Sequence, residues 1–156
     1  MSKYWEMMNS DDPDMRDKGD IGWIENTERY MSYFETIKEN LPKGFLRIFD
    51  KNDWFHDFSI ENIEIMNTGK YSSIIKFIIN RGNILYELTF KGVKSFFVNI
   101  PTTQNWMCGI LTWGYTEFEM NDDKSWIIRI LCDFDCELEI LFKHISVKKV
   151  VQEKKE

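Results

Sequence analysis

Histidine is almost absent from this chain, proline and cysteine are scarce, and the apolar runs are short and broken by charge. Each shortage removes a class of reading. Two histidines, His56 and His144, are too few for a His-rich metal centre, so no metal is expected. Three cysteines, Cys108, Cys132 and Cys136, form an odd set without disulfide-framework spacing. On one extended strand Cys132 and Cys136 would stand about 13 Å apart, beyond the roughly 7 Å reach of a disulfide. Free thiols packed in a core are the expectation, with metal ligation or redox chemistry as the functional alternative. No run of residues is apolar enough to span a membrane as a helix. The amino terminus turns acidic after Trp5 instead of showing the basic and apolar regions of a signal peptide, which points to a cytoplasmic protein. No phosphate loop, dinucleotide fingerprint, nucleophile elbow or internal repeat occurs, so no cofactor is expected and the prior for an enzyme falls.

What is present is a core and an acidic surface. The 156 residues are 43% hydrophobic and 15% aromatic, enough for one buried core. With 26 acids against 20 bases the net charge is -6, which argues against a nucleic-acid partner, because phosphate backbones need clustered lysine and arginine. Between Glu117 and Glu139 eight acids face only Lys124 and Arg129, a local net of -6 that equals the whole chain's.

Helical signals come first and strand signals follow. Residues 1–22 read as an acidic arm, a loop or a short helical turn after Pro13. A helix is expected over 26–41, capped by Asn26 or Thr27, with Tyr30, Phe34, Ile37 and Leu41 as its apolar stripe and Pro42 and Gly44 as its stop. Phe45, Leu46, Ile48 and Phe49 suit a second short helix or turn. From 55 to 150 the pattern is strands divided by turn residues, and 101–109 is the longest internal loop. The tail, 151–156, is expected to fray.

The strongest signal spans residues 126–142. Every even position there is apolar or a thiol, while Asp133, Asp135, Glu137 and Glu139 occupy odd ones. Strand geometry throws these sets to opposite faces, so one side is oily and the other carries a carboxylate row. Seventeen residues exceed an ordinary strand, so a bend or bulge is expected near 133–135. Pairing of residues 110–120 with this run at numbers totalling 246 sets Phe118 opposite Ile128, Met120 opposite Trp126 and Glu117 opposite Arg129. The fold class is therefore α+β: an amino-terminal helix packed on a mostly antiparallel meander of six to seven strands, covering an open face or plugging a barrel-like end.

The triplet Phe55-His56-Asp57, followed by Phe58-Ser59-Ile60, resembles the opening of the β-domain in small uncharacterised proteins of Bacillus-type bacteria. The resemblance covers roughly residues 41–150. It implies a bacterial β-domain and brings no activity with it.

Two candidate sites follow. A like-charged ridge of Asp133, Asp135, Glu137 and Glu139, flanked by Glu117 and Glu119, costs stability unless a cation or basic partner meets it; otherwise it is a solvated face that deters edge aggregation. Trp113 and Tyr115 share parity with Glu117 and Glu119 and are expected on that face as aromatic anchors, or else beneath a covering helix. Trp106 is the other aromatic expected at the surface. His56 and Asp57 are the acid–base or metal-binding candidates, although neighbours on a strand face opposite ways and need not cooperate. The leading function is a non-catalytic module that docks a basic partner protein, in the manner of an immunity protein that neutralises a bacterial toxin. The alternatives are a small enzyme or metal-dependent binder using His56 and Asp57, and a structural subunit of a homo-oligomer.

Overall fold

A computed structural model describes residues 7–8, 10–69, 72–99, 111–133 and 136–150; Trp106, Cys108 and Asp135 lie outside them. The chain divides into two compact units, residues 1–39 and 40–156. The first holds helix α1, Pro13–Ile37. It begins well before Asn26, because Asp12 caps it by accepting from the Asp14 N–H at 3.0 Å and Pro13, with its fixed φ, needs no hydrogen-bond partner at the first position. Near its end Phe34 and Ile37 are buried, and Tyr30 stacks on Phe34.

In the second unit helix α2, Lys43–Lys51, is followed by eight strands: β1 Phe58–Gly69, β2 Ser72–Arg81, β3 Ile84–Val93, β4 Ser95–Asn99, β5 Leu111–Met120, β6 Trp126–Cys132, β7 Cys136–Phe142 and β8 His144–Val150. All pairings are antiparallel, and the spatial order is β4-β7-β6-β5-β1-β2-β3-β8. The fold is α+β. Its strand count exceeds the expected number because residues 126–142 turn back on themselves as the β6–β7 hairpin. Paired numbers there total 268, an even number, so the turn leaves parity unchanged. Trp126, Ile128, Ile130, Cys132, Cys136, Leu138, Ile140 and Phe142 consequently stay on one face and are all buried. The β5–β6 register is the expected one over residues 115–120.

The sheet has two ends, β4 and β8, yet each continues a strand from the opposite side. β3 runs into β4 through Lys94, and β7 into β8 through Lys143. Lys94 N–H donates to the Leu141 carbonyl at 2.8 Å and Lys143 N–H to the Lys91 carbonyl at 3.0 Å, while Phe90 meets Phe142 edge-on at 5.1 Å. The sheet is therefore rolled around its apolar face. Gly92, with φ +66, bends β3 where it reaches this seam.

Phe55 is the hub of the core. Its ring contacts Phe45 and Phe49 of α2, Phe58 of β1, Tyr86 of β3 and Trp113 of β5, and it has no exposed surface. Phe45 and Phe49 also sit edge-on to Phe118, which fastens α2 to the sheet.

Candidate functional site

Three strand registers assemble one face of the sheet. Across β5, β6, β7 and β4 the rows opposite the even-numbered core residues read Tyr115-Leu131-Glu137-Asn99, in which Leu131 is buried, then Glu117-Arg129-Glu139-Phe97, then Glu119-Ile127-Leu141-Ser95. Directly paired residues of an antiparallel sheet share a side, so four glutamates surround a single arginine here. Arg129 Nε donates to Glu139 at 2.8 Å and its Nη1 to Glu119 at 2.8 Å. Partial burial opposes the charge on Arg129, but the two carboxylates outweigh it and raise its pKa. Glu117 is its partner in register, yet the side-chain bonds go sideways to Glu139 and diagonally to Glu119. The face keeps a net charge of -3 from four acids and one base, and it carries Phe97, 57% exposed.

This differs from the expected ridge in two respects. Asp133 lies in the turn after β6 and not on a strand, and Asp135 is outside the described residues, so Glu137 and Glu139 are joined by Glu117 and Glu119 across strands instead. Trp113 is not on the acidic face. A bulge at Gly114 shifts the register between Trp113 and Tyr115, turning Trp113 inward to complete burial, where its indole N–H donates to Thr116 Oγ1 at 2.7 Å. Gly114 is required there: a Cβ would lie 2.6 Å from the Leu131 carbonyl oxygen. Tyr115 remains on the outer side. Phe97 takes the role expected of Trp113, and sequence reasoning missed it because Phe96 and Phe97 are consecutive aromatics with no alternation to separate them.

His56 and Asp57 do come together. They precede β1, in a turn where Asp53, Trp54, Phe55 and Asp57 all have positive φ, from 50° to 64°. This conformation is costly for residues bearing a Cβ, and the burial of Phe55 offsets it. Because Asp57 is in the left-handed region and not extended, its Oδ1 reaches His56 Nδ1 at 3.0 Å. Asp57 N–H donates to the Trp113 carbonyl at 2.9 Å, and Arg81 lies over the Phe58 ring while donating to the His56 carbonyl at 3.2 Å. The His56 ring stands edge-on to Tyr115 at 5.3 Å, so the two candidate sites meet at that tyrosine.

Cys132 and Cys136 are direct cross-strand partners and not residues of one strand, so the 13 Å separation does not hold. Both are free and buried. Burial pushes both thiols up, assisted at Cys132 by Cys136 and Asp133 and at Cys136 by Glu137. Among the described residues no group of three or more His, Cys, Asp and Glu side chains is arranged to hold a metal ion, and no helix is long and apolar enough to cross a membrane. In comparison with known proteins, neither a family model nor a curated sequence matches this chain.

Proposed function

We propose that the protein is a non-catalytic binding module whose acidic face, built on β5, β6, β7 and β4, docks a basic partner protein, as an immunity-type inhibitor docks a toxin. The observation that carries the reading is the convergence of Glu117, Glu119, Glu137 and Glu139 on one side of the sheet with Tyr115 and exposed Phe97. Excess negative charge steers a basic partner toward the face, and aromatic side chains bury apolar area once contact is made. Arg129 holds two of the acids in place, leaving Glu117 and Glu137 without a bond to it. The test is a binding titration against any basic protein found to be encoded beside this gene. Glu117→Gln with Glu137→Gln should slow association and flatten its salt dependence, and Phe97→Ala should speed dissociation. Binding that ignores all three substitutions removes this face from consideration.

A second reading rests on the His56–Asp57 contact. A carboxylate bonded to Nδ1 orients an imidazole and leaves Nε2 available for proton transfer, the arrangement of a general base. Loss of a hydrolytic activity in His56→Gln, with partner binding intact, would favour it over docking; unchanged activity would discard it.

A further inference from the structure

At the other end of the sheet the outward face has the opposite sign. Strands β2, β3 and β8 place Lys76, Thr89 and Ser146 in one row by register. The next row on one side contains Lys91 and His144, and on the other side Glu87 and Lys148. Six of these residues, Lys76, Glu87, Thr89, Lys91, Ser146 and Lys148, line a depression of about 370 Å³ whose remaining wall is aliphatic. That volume lies in the range of small-molecule sites, roughly 300–1,000 Å³.

Glu87 sits among the lysines as a competing anion. It is 17% exposed, and its Oε1 lies 3.1 Å from Lys148 Nζ, 3.9 Å from Lys76 Nζ and 3.4 Å from the Thr89 hydroxyl. One carboxylate oxygen thus lies within ion-pair distance of two ammonium groups across three strands, with the Lys148 side chain still largely exposed. Lys91 adds a third cation at the rim, and the Thr89 and Ser146 hydroxyls sit opposite each other between them. Three lysines against one glutamate leave a net charge of +2 in a chain whose total is -6.

We propose that this depression binds a small phosphate-bearing dianion. Lysine ammonium groups bind phosphate oxygens as point charges, the Ser146 hydroxyl donates to a remaining oxygen while the Thr89 hydroxyl donates to Glu87 and releases that bond only when Glu87 yields to the ligand, and two negative charges match the local excess. The aliphatic wall from Ile74 and Val147 fits the carbon portion of a phosphate monoester better than a bare ion. The depression is partly open, and its cations are confined to a few residues of three strands, which suits a compact ligand better than an acidic protein segment that would need a longer track.

The experiment titrates the full chain with glycerol phosphate, inorganic phosphate and chloride at matched ionic strength, following the backbone amides of Thr89 and Ser146 by NMR. Saturable shifts with the monoester, weaker with phosphate and absent with chloride, are expected. Lys91→Ala and Lys148→Ala should each weaken binding by about tenfold. Glu87→Gln should tighten it, because the competing carboxylate charge is gone; a role for these residues in folding alone would not produce that gain. Circular dichroism of each variant establishes that it is folded, and two lysine positions guard against failure of one. Linear, unsaturated shifts, an equal response to chloride, weaker binding in Glu87→Gln, or saturation by polyglutamate but not by the phosphates would overturn the proposal. None of these readouts involves the acidic face, so the docking function can fail while this site stands.

Discussion

Gly114 shows how one residue redirects a site. Parity alone assigns Trp113 and Tyr115 to the same side, and the bulge at Gly114 separates them, sending the indole into the core and leaving the phenol beside His56. A methyl group there would press on the Leu131 carbonyl at 2.6 Å. We expect Gly114→Ala to destabilise the fold by about 1–3 kcal/mol, read as a lower urea midpoint with an unchanged slope. A midpoint within error of the parent would mean that the strand accommodates the methyl group and that the close approach does not dictate the bulge. Sequence reasoning could not see this, because a bulge depends on the partner strand as well as its own residues.

Among the elements, the turn that leads into β1 is the least legible from sequence. Nothing in Asp53-Trp54-Phe55-His56-Asp57 announces four left-handed residues, since no glycine is present. The chain accepts that conformation because it drives Phe55 into the aromatic cluster while Trp54 stacks on Phe49 at 5.2 Å. Asp53, at φ 50 and exposed, carries the strain without contributing to the core. Asp53→Gly should therefore stabilise the protein by about 0.5–1 kcal/mol, seen as a higher melting temperature. A lower one would show that the aspartate side chain supports the turn. The β6–β7 hairpin offers the contrast. Its alternation was legible in both arms because an even-numbered register puts the even positions of β6 and β7 on one face, although periodicity could not say that the run reverses, and Leu131 is buried against its parity. The β5–β6 register followed from the same rule, since only even totals match apolar Phe118 with apolar Ile128.

For the whole molecule, the seam of the rolled sheet is also an electrostatic junction. Lys94, the single residue between β3 and β4, donates to Asp123 in the β5–β6 turn at 2.8 Å, and Asp123 accepts from the Ser125 backbone and hydroxyl as well. The Lys94 bond first, then those from Ser125, hold the Asp123 carboxyl well below the usual carboxylate range. A carboxyl depressed on folding stabilises the native state above its unfolded pKa, about 3.9, and that contribution disappears as pH falls toward the folded value. Asp123→Asn should accordingly lower stability at neutral pH and flatten the acid limb below about pH 4, measured by thermal unfolding across pH. Parallel acid limbs for parent and variant would contradict the assignment. Rolling also sets two faces of opposite sign at either end of one sheet, an arrangement that composition obscures, because an overall charge of -6 conceals the lysines of β2, β3 and β8.

Alternation and turn chemistry by themselves determined the α+β class, the oily face and the partner of nearly every residue between Glu117 and Arg129, since side-chain direction in a strand is a local property of the backbone. Tertiary structure alone decided which side chains meet across strands distant in sequence: Phe97 beside Glu139, His56 against Tyr115, and Lys76 near Lys148 through Glu87. Those meetings depend on strand order and on the bulge at Gly114, which are settled by how the entire sheet packs.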